Sequence, residues 1–317
     1  MFKETDSKNF SITSTCENME NMKFALFGST FPDRTYKAEE QIAAVCESIY
    51  RHGGSLYLPD SFFYTLSTPI QNKIRPLGLL FDVLPPVDMV VSVGGDGTFL
   101  RTAATVGDLG IPVLGINTGR LGFLAAINFQ DLEATLIEIF DRHFDVEDRT
   151  LLEISTNDED IPLGFNIHAL NEVSILRQDT ASMLSIRASI NGEYLTSYQA
   201  DGLVVATPTG STAYSLSIGG SILSPTTPSF ILTAIAPHNL TSRPLVVDDN
   251  SRISLQITSR SRTYLLSLDG QTQVFDQHTQ LEIYKAPFTL KVVRRAGHTF
   301  FETLRDKLMW GADVRRQ

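Results

Sequence analysis

The chain has 317 residues, 42% of them hydrophobic, with 26 Lys and Arg against 36 Asp and Glu. That is the profile of a globular protein with room for two domains, and its net charge of −10 gives no basic excess for gripping nucleic-acid phosphates. Cys16 and Cys46 lack metal-ligand spacing and are too few for a disulfide framework, no apolar run reaches the ~18 residues of a membrane span, and the first 20 residues lack the apolar core of a secretory signal; a cytoplasmic protein without nucleic-acid or membrane contact is expected.

Residues 1–22 are rich in Ser, Thr, Asn and charge and read as a disordered tail, within which Met19 and Met22 are alternative starts. An alternating pattern follows: an apolar run at 24–27, helical periodicity over 37–51, a strand at 55–58. Residues 89–93 form a buried-type strand that runs into Gly94-Gly95-Asp96-Gly97-Thr98, then a helix to 106 and a strand over 112–116. This is βαβ logic and predicts a Rossmann-like parallel sheet, with one more amphipathic helix over 131–144. Beyond about residue 145 helical periodicity fades and short β-branched runs take over, at 183–190, 194–198, 203–207, 230–236, 253–258, 264–268 and 281–284. Asn191-Gly192 suits a tight hairpin between the first two. Residues 299–310, closed by Gly311, read as a helix that returns to the first domain. The expected division is an α/β phosphate-loop domain over 23–147, completed by 287–317, and a β-rich, sandwich-like domain over 148–286.

A glycine loop that leaves a strand and opens a helix offers unpaired N–H groups and the positive end of the helix dipole, so phosphate belongs at residues 94–98. An Asp amid those glycines repels anions unless it serves a hydroxyl or a metal, which makes Asp96 the candidate general base. In an isolated Gly-Asp-Gly the commoner reading is a turn with the Asp as helix N-cap. This pentapeptide, however, arises by chance in a chain of this length only roughly 3 times in 10,000. Further on, residues 207–215 (TPTGSTAYS) are a dense run of hydroxyls and glycine with one aromatic, Tyr214. Hydroxyls and backbone groups suit an adenine edge and Tyr214 offers a stacking face, although a Ser/Thr-rich loop ending at a helix cap has the same composition. The six histidines, His52, His143, His168, His238, His278 and His298, show no metal spacing, and no tightly bound protein metal is expected. The acidic clusters at 158–160 and 248–249 read as solvated loops.

With those residues in view the chain resembles the NAD kinases. The Gly-Gly-Asp-Gly-Thr motif is shared with lipid kinases of the diacylglycerol type and with phosphofructokinases, but the run from Gly202 to Pro225 matches the NAD kinase signature, with Ile218 where many relatives have Ala. Asn171-Glu172 and residues 117–124 (NTGRLGFL) also match, and the similarity spans about residues 23–311. The resemblance implies transfer of the γ-phosphate of ATP to the 2′-hydroxyl of the adenosine ribose of NAD, with Mg²⁺ or another divalent cation bridging the donor oxygens. It implies Asp96 as proton acceptor and an NAD site built from Asp96, Gly97, Arg101, Phe123, Asn171, Glu172, Asp201, Thr212, Ala213, Tyr214, Ser215, Leu216, Ser217, Ala236 and Gln271. Gln199 also belongs to that set, as a departure: some relatives carry Arg there and others Gly. A homo-oligomer, dimer or tetramer, with acceptor pockets near subunit contacts is implied as well. The competing readings are a lipid kinase, which the 207–217 run argues against, and a non-catalytic NAD sensor, which would have no use for Asp96.

Overall fold

The computed structural model describes residues 21–29, 36–119, 122–157, 165–179 and 183–311. Cys16, the acidic cluster at 158–160 and most of the expected tail lie outside them, whereas Met22, expected in the tail, is buried in the first core. The first run comprises β1 (Lys23–Gly28), α1 (Tyr36–Arg51), β2 (Ser55–Pro59), the short helices α2 (Asp60–Phe63) and α3 (Thr68–Ile74), β3 (Gly78–Phe81), β4 (Met89–Gly94), α4 (Asp96–Val106) and β5 (Val113–Asn117). β6 (Ile127–Asn128) and α5 (Leu132–Phe140) follow. Strands then dominate: β7 (Phe144–Thr156), β8 (His168–Ala169), β9 (Glu172–Arg177), β10 (Leu184–Ile190), β11 (Glu193–Ala200) and β12 (Gly202–Ala206). After the single turn α6 (Tyr214–Ser217) come β13 (Ser229–Ile235), β14 (Leu245–Asp248), β15 (Ile253–Thr258), β16 (Thr263–Leu268), β17 (Gln271–Asp276), the long β18 (Leu281–Arg295) and helix α7 (Phe300–Leu308).

β1 to β5 pair in parallel in the order β3-β2-β1-β4-β5, so the direction of winding reverses between β1 and β4. Every residue of β4 is buried, as expected of a central parallel strand covered on both faces. One face packs on α1, whose Ile42, Val45, Cys46 and Ile49 repeat at helical spacing; the other packs on α4 through Phe99, Ala103 and Val106. Burial pushes the Cys46 thiol up to about 12, so it stays protonated and acts as a small apolar group. Helix α5 is shorter than its apolar pattern predicts. It ends at Phe140, Arg142 takes a left-handed φ of 57°, and Phe144 already pairs with Arg295 in the sheet.

The β-rich part is a sandwich. One layer is the six-stranded sheet β14-β13-β12-β9-β16-β17, all antiparallel; the other is the antiparallel end of the large sheet, and Leu203, Val205, Leu255, Tyr264, Leu266 and Ile283 lie in the core between them. The hairpin at Asn191-Gly192 forms as expected, with φ of 52° and 83°. The strand expected to stop at Tyr284 instead continues to Arg295. β18 pairs antiparallel with β15 near its start, parallel with β5 at Val292, and with β7 along most of its length. The expected boundaries at 147/148 and 286/287 therefore fall inside two strands that run on through them.

Where that ribbon enters the α/β part it carries a buried ion triad. Glu147 Oε2 accepts hydrogen bonds from Arg149 Nη2 at 2.8 Å and Arg294 Nη1 at 2.9 Å, and the three side chains are 6–16% exposed. Removing the one anion leaves two guanidiniums facing each other with little water to screen them. Glu147→Gln should lower stability by about 3 kcal/mol, measured by urea unfolding; a loss below about 1 kcal/mol, the worth of a surface pair, would show the triad to be solvated in practice.

Candidate active site

Gly94 ends β4 at the carboxyl edge of the sheet, next to the winding reversal, which is where open α/β sheets bind ligands. The helix N-cap is Gly95 and not Asp96; Asp96 is the first helical residue. Its carboxylate is consequently free to reach across the edge, where Oδ2 accepts the N–H of Phe123 at 2.9 Å and Oδ1 accepts those of Leu124 and Ala125 at 3.1 and 3.0 Å. Three of roughly four lone-pair sites on an ionised carboxylate are thereby used, all on one turn. The approach is so close that a Cβ on Gly122 would sit 1.7 Å from Asp96 Oδ1, which explains the glycine. One turn into α4 the Arg101 guanidinium donates to Thr98 Oγ1 at 3.3 Å.

A second carboxylate does the same work at the acceptor loop. Asp269 accepts the N–H groups of Leu170, Asn171 and Glu172 at 2.7 to 3.0 Å and fixes the residues that open β9. Burial raises its affinity for a proton, and those three N–H groups oppose the shift. The loop after β12 closes on the same spot: Thr207 Oγ1 donates to Leu170 O, and Gly210 packs so tightly that a Cβ there would lie 2.0 Å from Asn171 O. Ser211, expected only as part of a hydroxyl run, is fully buried and ties the loop internally through Pro208 O and the N–H of Leu223. A single 3₁₀ turn, Gly210–Thr212, leads through Ala213 into α6. There the backbone of Tyr214 bonds to the Glu172 carboxylate, Ser215 meets Thr233 at 3.3 Å, and the Tyr214 ring stays 36% exposed, available for stacking.

Asn171 Oδ1 and Glu172 Oε2 are buried with no hydrogen-bond partner, an arrangement that costs free energy until a ligand supplies donors. Burial first, then the charge of Asp269, pushes Glu172 up to about 8, against a pull from the Tyr214 N–H.

The turn that clamps Asp96 meets the acceptor loop. Phe123 and Leu124 share a small cavity with Pro208, Thr209 and Thr212, and Arg149 Nη1 donates to Thr209 Oγ1 at 3.2 Å. Asp96 and Phe123 thus lie on one side of this contact, and Asn171, Glu172 and residues 212–217, tied to the acceptor loop, on the other, with Gln271 two residues after Asp269. Gln199, Asp201 and Ala236 do not join them. Asp201 bonds to Ile235 O and to Arg177, and Gln199 O accepts the N–H of His238, all at the far end of β12. Five residues of strand span ~17 Å, so the expected residues form two groups on one chain. Arg149 and Asp269 were missed as site builders by sequence reasoning, and at Gly122, where the glycines of the 117–124 run suggest a backbone kept clear for ligand, the space is taken by Asp96. Gly122 lies inside the matched 117–124 run, of which Arg120 and Leu121 are outside the described residues, and an Asp before Gly270 was the visible signal for Asp269.

A glycine loop at the switch point of a parallel sheet, joined to a β-sandwich that carries a hydroxyl-lined loop, is an arrangement suited to phosphoryl transfer between nucleotides. Residues 85–144 match the model of the ATP-NAD kinase N-terminal domain and residues 170–295 that of the ATP-NAD kinase C-terminal domain. The chain is 44% identical over 294 residues to an NAD kinase of Bacteroides fragilis, covering 93% of this chain and 100% of that one. To an NAD kinase of Porphyromonas gingivalis it is 45% identical over 296 residues, covering 92% and 99%. Among solved structures it is similar to yeast NADH kinase complexed with NADH, with a TM-score of 0.81 and 26% identity over 94% of this chain and 90% of that one. An Archaeoglobus fulgidus NAD kinase in complex with ATP superposes with a TM-score of 0.67 and 25% identity over 91% and 99%. The chain belongs to the NAD kinase family and is an enzyme. These matches leave the lipid-kinase and sensor readings without support.

Glu172 has a pH signature. Its carboxyl rises from an ordinary 4.5 to about 8 on folding, so its contribution to stability is complete below about 4.5 and is lost as pH climbs through 8. Glu172→Gln keeps a neutral group at every pH. The melting temperature of Glu172→Gln minus that of wild type should therefore grow more positive from pH 5 to pH 9; a difference that stays flat would mean the carboxyl is not desolvated.

Proposed function

We propose that Asp96 accepts the 2′-hydroxyl proton of the adenosine ribose of NAD while the γ-phosphate of MgATP passes to that oxygen, giving NADP. The observation that carries this reading is the Asp96 carboxylate itself, clamped by three N–H groups with one lone-pair site remaining beside the phosphate loop. Phosphoryl transfer needs little beyond alignment and charge stabilisation, and a base locked to a turn satisfies the first requirement. The N–H groups of residues 94–98 and the α4 dipole supply part of the second. Asn171 and Glu172, each with a buried oxygen lacking a partner, suit ribose hydroxyls or an adenine amine, and Tyr214 suits the base face.

A divalent cation would enter with the donor and would offset charge on its phosphates. Among the described residues no three His, Cys, Asp or Glu side chains cluster as a metal site, and the Asp96 carboxylate already accepts three backbone N–H groups. No helix among the described residues is long and apolar enough to cross a membrane. A cytoplasmic enzyme accords with that and with the buried free thiol of Cys46.

The separation of Gln199, Asp201 and Ala236 from the Asp96 cleft supports the homo-oligomer that the family resemblance implies. If all the expected residues touch one dinucleotide, a second copy must bring the far group to the first copy's cleft. A dimer or tetramer with pockets at its subunit contacts meets that requirement.

Asp96→Asn should reduce NADP formation from NAD and MgATP by at least about 100-fold, read with an NADP-specific dehydrogenase. The substitution is not silent structurally, because an amide nitrogen must then face one of the three N–H groups, at a cost of about 1–3 kcal/mol. Thermal melting and NAD binding measured alongside separate the two effects; turnover near that of wild type would remove Asp96 from the chemistry. Tyr214→Ala should raise KM for NAD by about 10-fold with kcat little changed, and an unaltered KM would exclude stacking.

A further inference from the structure

Helix α7 follows β18 after a short turn and its start is pinned by a capping box: Thr299 Oγ1 accepts the N–H of Glu302 at 3.2 Å and Glu302 Oε2 accepts that of Thr299 at 2.7 Å. With the start fixed, the helical period decides which side chains turn inward. Phe300, Thr303, Leu304 and Lys307 stand at i, i+3, i+4 and i+7, one stripe of the helix. Thr303 and Leu304 are 4% and 8% exposed, and Phe300 and Thr303 share a cavity wall with Phe123, Leu124, Thr209 and Thr212. One turn further on, the Lys307 ammonium lies over the Phe123 ring, 5.7 Å from its centroid. Phe123 is the residue whose N–H holds Asp96 Oδ2. The last helix of the chain thus brings a cation to the turn that clamps the candidate base.

The half-buried Lys285 has a carboxylate partner, Asp249 at 2.6 Å, and even the exposed Lys73 pairs with Glu47 at 3.2 Å. Lys307 is half-buried, yet has no carboxylate within ion-pair distance among the described residues. Burial lowers its proton affinity and the charge of Asp96 raises it again, so the ammonium senses the site across a short gap. A half-buried ammonium without a counter-ion, beside a loop shaped for anions, is completed by an anion.

We propose that Lys307 is the cation that neutralises the terminal phosphate of the donor as it is transferred, so that α7 completes the active site. The inference rests on the kinase reading above. In that reaction the 2′-oxygen forms a bond to the γ-phosphorus, the bond from phosphorus to the bridging oxygen breaks, and its electron pair leaves with ADP. The hydroxyl proton passes to Asp96 and then to water, while Lys307 keeps its three protons throughout. Its contribution is largest where charge is spread over the three equatorial oxygens of the moving phosphoryl group. Sequence reading placed Lys307 in the helix expected over 299–310 but gave it no role, because a Lys in the last turn of a helix is ordinary complement to the helix dipole.

The test compares Lys307→Met, Lys307→Gln and Lys307→Arg in the full chain, with MgATP and NAD varied independently. Lys307→Met and Lys307→Gln should each lose on the order of 100-fold in kcat, while the melting temperature and the dissociation constant for NAD, measured by calorimetry, stay at wild-type values. Lys307→Arg should recover a large part of that loss, since it restores charge but not shape. Because Gln tolerates a half-exposed site, it keeps the comparison open if the Met variant folds poorly. A folded Gln variant with kcat within about twofold of wild type, or an Arg variant no better than Gln, would overturn the role of Lys307. Wild-type protein that binds ATP and NAD but forms no NADP would overturn the kinase reading and this inference together.

Discussion

Strand β18 is the constraint on which the rest of the molecule depends. It hydrogen-bonds to β15 of the sandwich near its start and to β5 of the parallel sheet near its end, with β7 alongside for most of its length. The two parts of the chain are therefore joined by one continuous sheet, with the six-stranded sheet packed against its antiparallel end. A strand ladder resists shear because each slip of register breaks a series of hydrogen bonds and turns buried side chains outward. That rigidity sets the distance between the phosphate loop at the end of β4 and the acceptor loop at the end of β12. The Glu147, Arg149 and Arg294 triad lies on this ribbon, and Arg149 reaches from it to Thr209 in the acceptor loop.

On that frame two carboxylates perform the same local task. Asp96 and Asp269 each gather three successive backbone N–H groups, and each thereby forces an irregular stretch into one conformation. Charge-assisted bonds of this kind are among the stronger ones available to a protein, and three on one residue hold a turn without secondary structure. The outcomes differ in the charge left over. Asp96 remains at the cleft beside an anion-binding loop, where one free lone pair suits a hydroxyl. Asp269 is consumed by structure, and its charge acts on Glu172, helping to hold that carboxyl near neutrality at physiological pH. Phe123 then couples Asp96 to α7 through its backbone on one side and its ring on the other.

Much of this was legible in the residues alone. Alternating apolar runs and helical periods determined the parallel sheet, because buried strands and amphipathic helices have no other way to shield both faces of β4. The Asn191-Gly192 turn, the C-terminal helix closed by Gly311 and the phosphate loop at 94–98 were determined just as locally, since positive φ, helix ends and anion-binding N–H groups are properties of a few neighbouring residues. What tertiary structure alone decided are the long-range encounters. Nothing near position 96 announces that its carboxylate will meet residues 123–125, nothing at Tyr284 announces that a strand runs on to Arg295, and nothing at Lys307 distinguishes a surface lysine from one facing the cleft. Each depends on pairing between segments far apart in the chain, where partner and register are set by the packing of the whole, and no local pattern encodes them.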